Sequence, residues 1–241
     1  MKLNRHFRLL MRSILVNTVV TGRLYAGSRE SVLLTFDDGP HEKITPVVLD
    51  KLKSHGAKCM FFVVGRFARD CPGIVRRVLE DGHQLGNHSF THDNGRMLDF
   101  KGCLRDMRSC QRFLRDSYGI NPRFFRPPGG RVTPQMLVAA WSLNLRIMLW
   151  SNMGGEWANR SGDDAETIAR TLTDRIAARD IVMLHDNNRK VPDILDIILP
   201  AIRDKGLDLS IGLQCLSKTH AFKDSSDRNL KLSRIDSPDV Q

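Results

Sequence analysis

Short apolar segments alternate with longer amphipathic segments along most of the chain, and this alternation limits the folds that the chain can adopt. The apolar segments have the length of β-strands, and the segments between them have the periodicity of α-helices. Pro46, Pro134 and Pro192 stand at the starts of three helical segments, where proline suits the first turn. Strands separated by helices form βαβ units with parallel strands. The sequence therefore predicts an α/β fold.

The predicted elements are numerous enough for a barrel. The predicted strands are Val32–Phe36, Cys59–Val64, Gln84–Asn87, Arg123–Arg126, Arg146–Trp150, Ile181–Leu184 and Leu207–Ile211. The predicted helices are Pro46–His55, Gly73–Asp81, Phe100–Tyr118, Pro134–Leu143, Ala165–Arg179 and Pro192–Lys205. Strands and helices in this order can close a (β/α) barrel of about seven parallel strands.

The chain of 241 residues has the length of one domain of about 200 residues with a full hydrophobic core. We assign residues 28–217 to this domain. Residues 1–27 form a basic N-terminal segment, and residues 218–241 form a polar tail that is expected to be disordered. No run of about 18 apolar residues occurs, so we expect no membrane-spanning helix.

Positive charge is concentrated near the N-terminus. The formal net charge is +10, and residues 1–30 contain six basic residues and one acidic residue. Leu3, Phe7, Leu10 and Ile14 recur there at helical spacing. Such a helix can lie on an anionic membrane surface or dock on the protein with its basic face in solvent. The basic residues are not interleaved with aromatic side chains, so the pattern does not favour nucleic-acid binding.

The same segment bears on the location of the protein. The stretch SILVNTVVTGRLYAG resembles the apolar part of a secretory signal, but Asn17 interrupts it and Arg23 precedes the candidate cleavage site. The five cysteines are an odd number without a CxxC pair, which is typical of unpaired thiols in a reducing compartment. We therefore expect a cytoplasmic protein or one at the inner face of the membrane, with export as the alternative.

Polar side chains cluster where the predicted strands end. These residues are Asp37, Asp38, His88, Arg126, Glu156 and His185. The carboxyl ends of parallel barrel strands share one face, which carries the active site in barrels of this kind. We therefore expect these residues to meet in one site.

The stretch HSFTH places His88 and His92 four residues apart. On a helical turn this spacing brings both imidazoles to one face, where they can share a metal ion. Asp38 can supply a third ligand. Two histidines and one acid are a common catalytic zinc site with one position left for water, and the same set suits iron. Structural histidines with satisfied hydrogen bonds are the alternative.

The neighbouring acids Asp37 and Asp38 pose an electrostatic problem, because like charges repel and a buried charge is costly. A metal ion at Asp38 solves one half of it. Arg126 is the available cation for Asp37. Because an ionised carboxylate beside a metal-activated water can act as a general base, we assign that role to Asp37.

Five short motifs occur in order between Thr35 and Asp186, namely TFDDGP, HSFTH, RPPGG, WSNMGGEW and MLHD. Together they resemble the motifs of the polysaccharide deacetylases, the NodB-homology carbohydrate esterases, over about residues 32–216. The resemblance implies a distorted (β/α) barrel that hydrolyses acetyl groups on sugar polymers with a divalent metal. Zinc is the expected metal, and Co²⁺, Ni²⁺ and Fe²⁺ are alternatives.

The resemblance also implies a role for each motif residue. Asp37 is expected to be the general base, Arg126 orients it, and Asp38, His88 and His92 bind the metal. In the later motifs, His185 is expected to be the general acid that protonates the leaving amine. Glu156 is expected to hold that histidine in the required tautomer, and Ser89 to support the loop between the two metal-binding histidines.

Three positions depart from the family's motifs and imply an altered substrate pocket. Gly129 stands where Tyr or Phe is usual, so its backbone N–H can still bind the oxyanion but an aromatic wall is lost. Met153 replaces an acid of the fourth motif. Met183 replaces the leucine that lines the acetyl-methyl pocket, and Trp157 is expected to border the site.

The favoured hypothesis is a metal-dependent deacetylase of an N-acetylglucosamine-type oligosaccharide or polysaccharide, with a lipid-linked sugar as one form of the substrate. An O-acetyl esterase acting on a polysaccharide is the first alternative. A non-catalytic saccharide-binding protein that keeps the fold is the second. The sequence does not indicate which oligomeric state the protein has.

Overall fold

The structure is a computed structural model that describes residues 19–20, 24, 30–93, 99–156 and 164–218. The strands in these residues are β1 Val19–Val20, β2 Leu33–Asp37, β3 Met60–Val63, β4 Gln84–Asn87, β5 Phe124–Phe125, β6 Arg146–Met148, β7 Asn152–Met153 and β8 Ile181–His185. The helices are α1 Ile44–Ser54, α2 Gly65–Asp70, α3 Pro72–Glu80, α4 Phe100–Tyr118, α5 Pro134–Ser142, α6 Ala165–Arg175, α7 Val191–Asp204 and α8 Gly212–Lys218. A 3₁₀ turn spans Pro128–Gly130.

All of these strands are parallel and form one sheet in the order β1-β6-β5-β4-β3-β2-β8-β7. Inward side chains of β2, β3, β5, β6 and β8 pack in one apolar cluster, although four strands separate β6 from β8 in the sheet. This contact requires the sheet to curl into a half-barrel. The end strands β1 and β7 do not pair with each other within the described residues. The distorted (β/α) barrel predicted from the sequence is thus confirmed, but as a half-barrel and not a closed one.

The alternation along β2 shows how each strand serves two layers. Leu33 joins the cluster inside the barrel, whereas Leu34 and Phe36 join a larger cluster between the strands and the helices. A strand buried on both faces is apolar on both faces. The first charged side chain of β2, that of Asp37, therefore comes where the strand ends.

Six of the seven predicted strands and all six predicted helices are confirmed, with ends that differ by at most four residues. The predicted strand Leu207–Ile211 is wrong. Asp208 makes an isolated bridge to Ser31 instead, because its carboxylate accepts hydrogen bonds from the backbone N–H and hydroxyl of Ser210 and bends the chain. The elements β1, β7, α2 and α8 have two to seven residues each, too few to show a periodic pattern in the sequence.

Some sequence predictions concern residues outside the described part of the chain. They are Trp157, most of the basic N-terminal segment and the polar tail after Lys218. Within the described residues, no helix combines the length and the hydropathy that a membrane span needs. Cys59, Cys71, Cys103 and Cys110 form no disulfide with one another.

Close packing inside the barrel can be tested at Gly86 of β4, where a Cβ would overlap the Phe62 ring. We expect Gly86→Ala to lower the free energy of unfolding by about 1–3 kcal/mol, the usual cost of overpacking. Gly73→Ala is the control, since a Cβ there meets nothing within 4 Å and alanine favours helix α3. Urea denaturation measures both variants. Equal stabilities would contradict a packed interior at Gly86.

Candidate metal centre and active site

The end of β2 places two neighbouring carboxylates in different surroundings. Asp37 is paired in parallel register with His185 at the end of β8. Asp38 leaves the strand with a left-handed φ of 69°, a conformation that short polar residues tolerate. Gly39 then passes so close to the buried Asp186 carboxylate that a Cβ would overlap it. The turn thus separates the two side chains and requires glycine after them.

His88 and His92 converge through a loop rather than the helical turn that the sequence suggested. Ser89 and His92 have left-handed φ values of 67° and 53°. Ser89 Oγ accepts a hydrogen bond from the His92 backbone N–H at 2.9 Å, which is the expected support. From α4, the Asp106 carboxylate accepts hydrogen bonds from the N–H and hydroxyl of Thr91 at 3.4 and 3.0 Å, and from the preceding N–H at 3.1 Å. The loop geometry is therefore fixed by hydrogen bonds.

Three candidate metal ligands face one another at this point. Asp38 Oδ1 lies 3.2 Å from His88 Nε2 and 3.0 Å from His92 Nε2, and one ligand atom of each residue lies within 4.8 Å of the others. His88 Nδ1 is 2.7 Å from the backbone carbonyl of Arg126. Because a carbonyl can only accept, Nδ1 carries the proton, and a neutral His88 presents the lone pair of Nε2 to the site.

The Asp38 carboxylate suits a cation. Its Oδ1 is buried and makes no hydrogen bond within the described residues. Burial opposes its ionisation, but the two imidazoles, when their Nε2 atoms are protonated, outweigh this effect and hold the pKa of Asp38 well below its usual range. Two imidazole nitrogens and an ionised carboxylate are ligands that zinc prefers. The residues present therefore fit the divalent metal that the sequence predicts.

Arg126 holds Asp37 in a buried ion pair. Its Nη1 donates to Asp37 Oδ1 and to Thr35 Oγ1, both at 2.7 Å, and both charged side chains are at most 4% exposed. Its Nε and Nη2 donate to two backbone carbonyls after or at the end of β6, at 3.1 and 3.3 Å. Burial lowers the pKa of Arg126, and the charge of Asp37 opposes that change. The guanidinium is thus fixed on Asp37, as predicted from the sequence.

His185 and Glu156 form the second charged pair of the site. His185 Nδ1 lies 2.9 Å from Glu156 Oε1, and the Glu156 carboxylate is fully buried. Asn188 donates a hydrogen bond to the backbone carbonyl of Glu156 at 2.9 Å. Burial lowers the pKa of His185, but the hydrogen bond that Glu156 accepts from it and the charge of Asp37 outweigh this effect, so that pKa is raised. The arrangement favours a protonated imidazole whose Nε2 is available.

The expected substrate-binding residues are less closely tied to this site. Gly129 is exposed in the 3₁₀ turn that follows Arg126, with a left-handed φ of 66°. Met183 is buried in β8, in register with Thr35. Met153 is 39% exposed on β7. The described contacts do not join Gly129 to the charged residues, and Trp157 lies outside the described residues.

Three supporting residues of the site are not predicted from the sequence. Thr35 accepts from Arg126 and donates to the backbone carbonyl of residue 182 at 2.8 Å. Thr45 donates to Asp186 Oδ2 at 2.6 Å, and burial raises the pKa of Asp186 to about 7. Asp106 is a buried carboxylate on the apolar face of α4. A charged residue at a position of α4 where the helical pattern predicts an apolar one is the sequence signal that could have revealed the role of Asp106.

Comparisons with known proteins agree on one family. The family model described as polysaccharide deacetylase matches residues 25–148. The chain is 32% identical over 183 residues to a peptidoglycan-N-acetylglucosamine deacetylase of Bacillus cereus, which covers 74% of this chain and 66% of that protein. It is 34% identical over 160 residues to a chitooligosaccharide deacetylase of Azorhizobium caulinodans, covering 66% of this chain and 75% of that protein. The chain thus spans just under two thirds of the Bacillus cereus protein.

The solved structures show the same fold. The crystal structure of a peptidoglycan N-acetylglucosamine deacetylase in complex with 4-naphthalen-1-yl-N-oxidanyl-benzamide superposes with a TM-score of 0.71 at 30% sequence identity. The match covers 79% of this chain and 88% of that one. The half-barrel is therefore the fold of this family.

The contact of Asp106 with the His88–His92 loop predicts an effect on metal affinity. We expect Asp106→Asn to weaken zinc binding by about 10–100-fold, the usual cost of losing a group that orients a metal ligand. Asp116→Asn on the same helix is the control, because Asp116 is exposed and pairs only with Arg115 among the described residues. Competition with a chromophoric chelator measures both affinities. Unchanged zinc affinity in Asp106→Asn would contradict this role.

Proposed function

Because the chain belongs to the polysaccharide deacetylase family, we propose that it removes acetyl groups from an N-acetylated saccharide by hydrolysis of the carbon–nitrogen bond. One observation carries this proposal. The candidate metal ligands Asp38, His88 and His92 lie beside a carboxylate, Asp37, that is held by a buried arginine. A metal-binding set next to a fixed base is the arrangement that hydrolysis by an activated water requires.

We propose that Asp38, His88 and His92 hold a divalent cation. Three protein ligands leave a tetrahedral ion one open position, which distinguishes catalytic from structural zinc sites. The bound ion supplies Lewis acidity and a nucleophilic water at neutral pH. Zinc is the proposed metal, with Co²⁺, Ni²⁺ and Fe²⁺ as alternatives.

Asp37 is the proposed general base. Arg126 occupies its Oδ1, so the other carboxylate oxygen is the one that can accept a proton from the attacking water. Arg126 is itself held by Thr35 and by two backbone carbonyls, one at the end of β6 and one just after it. The base is therefore oriented before substrate binds, which reduces the reorganisation needed in the transition state.

His185 is the proposed general acid. Its Nδ1 is occupied by Glu156, so Nε2 is the nitrogen that can donate a proton to the departing amine. The raised pKa of His185 favours the protonated form that an acid needs. Asp37 and His185 stand at the ends of neighbouring strands, so the base and the acid can act on the same acetyl group.

The substrate is proposed to contain N-acetylglucosamine. One relative is named for peptidoglycan N-acetylglucosamine and another for chitooligosaccharides. The exposed glycine at position 129 supports an open site, since it offers backbone rather than a side-chain wall. Hydrolysis of an O-acetyl ester by the same groups is the rival reaction.

Acetate release from N-acetylglucosamine oligomers by the zinc-loaded protein tests the proposal. We expect Asp37→Asn to lose about 10²–10⁴-fold in turnover, the usual contribution of a general base, while its zinc content stays the same. Full turnover by the variant would refute the base assignment. Release of acetate only from acetylated xylan would replace N-deacetylation by the esterase reaction.

The pairing of His185 with Glu156 predicts a pH effect. Activity that depends on protonated His185 falls as the pH rises through its pKa. Glu156→Gln keeps a hydrogen-bond acceptor but removes the charge, so it lowers that pKa and should shift the alkaline limb of the kcat/KM profile about 1 pH unit lower. Glu166→Gln, on the exposed face of α6, is the control. An alkaline limb that stays in place in Glu156→Gln would exclude His185 as the acid.

A further inference from the structure

One face of α4 carries basic side chains that the proposed reaction does not use. They are Lys101, Arg105, Arg108, Arg112 and Arg115, and we call them the α4 basic stripe. Their alternating intervals of four and three residues place them on one side of the helix. All five are exposed, whereas the opposite side of α4 is buried in the protein. At 1.5 Å per residue the stripe is about 21 Å long.

Most of the positive charge of the stripe is not neutralised by acidic side chains. Arg115 pairs with Asp116 at 2.8 Å, and the other four members form no ion pair with any described residue. Like charges three and four residues apart destabilise a helix. Folding alone therefore does not account for the stripe.

The stripe begins beside the proposed active site. Asp106, the residue after Arg105 in α4, accepts hydrogen bonds from the loop that carries His92. In a βα unit the helix starts at the carboxyl ends of the strands and runs back along the outside of the barrel. A molecule bound along the stripe would thus have one end next to the site and the other end on the barrel wall.

We propose that the α4 basic stripe binds a linear polyanion that carries phosphate groups along its chain. Three of the four unpaired members are arginines, whose guanidinium groups bind phosphate through two hydrogen bonds. A single line of cations matches charges spaced along an extended polymer, and release of counterions from the polymer favours binding. Such a tether would raise the local concentration of saccharide attached to, or lying beside, the polyanion.

Two other partners fit the stripe less well. A helix that lies on a membrane turns an apolar face to the lipid, whereas α4 buries that face against the barrel. A stable protein interface needs an apolar centre. Among the described residues, the one large hydrophobic side chain of α4 that is exposed is that of Phe100, at 38%.

Binding of the full chain to inorganic polyphosphate tests the proposal. A fourfold variant, called the stripe variant, removes the unpaired cations of the α4 basic stripe. It carries Lys101→Gln, Arg105→Gln, Arg108→Gln and Arg112→Gln. A fourfold control variant removes the same amount of positive charge from exposed positions on α1, α6 and α7. It carries Lys53→Gln, Arg170→Gln, Arg175→Gln and Arg203→Gln. We expect the stripe variant to bind about tenfold more weakly or worse, and to lower the slope of log Kd against log salt by about 3. The control should keep most of the wild-type affinity and slope.

Equal weakening in both variants would show that net charge alone governs binding and would overturn the proposal. If the stripe variant lost binding to phosphatidylglycerol vesicles but still bound polyphosphate as the wild type does, the result would overturn the proposal in favour of a membrane surface. Circular dichroism checks the fold, and Arg108→Gln with Arg112→Gln, expected to lower the slope by about 1.5, replaces the stripe variant if it unfolds. Acetate release from neutral oligomers should be the same in all variants, so a failure of the proposed reaction is visible separately.

Discussion

The buried ion pair between Arg126 and Asp37 is the interaction on which the rest of the site depends. The side chain of Arg126 neutralises Asp37 at 2.7 Å, and the backbone carbonyl of the same arginine accepts the Nδ1 proton of His88 at the same distance. One residue therefore orients the proposed base and sets the tautomer of a proposed metal ligand. Removing one partner of such a buried pair typically costs about 3–5 kcal/mol, because the other charge stays buried without compensation.

The fold makes this arrangement rigid. Thr35 and the carbonyls near the end of β6 accept three more of the five N–H donors of Arg126, which holds the guanidinium on Asp37. Asp38, directed away by its left-handed backbone, is left to the two histidines and the cation that they fit. We propose that the adjacent acids tolerate each other because Arg126 pairs with Asp37 and the proposed cation pairs with Asp38.

Much of this could be predicted from the sequence, and the reasons for the rest are physical. β2 is a continuous apolar run and α4 has a strong helical pattern. Asp37, Asp38, His88 and His92 lie in two short motifs that follow predicted parallel strands, so their convergence follows from the ends of those strands. Leu207–Ile211 is apolar enough for a strand, but a side-chain hydrogen bond of Asp208 bends it. The function of Asp106 depends on how α4 packs against a distant loop, which no local pattern records. The contact of Glu156 with His185 is implied by the resemblance of its motif, whereas its full burial follows only from the tertiary fold.

Zinc titration of the metal-free protein by calorimetry tests the central claim most directly, namely that Asp37 and Asp38 have different positive partners. Wild-type protein is expected to bind one zinc ion. Asp37→Asn should bind it with affinity within about tenfold of wild type, whereas Asp38→Asn should lose more than about 100-fold, because it loses a ligand rather than a group that supports one. Equal losses in the two variants, or wild-type affinity in Asp38→Asn, would contradict the account.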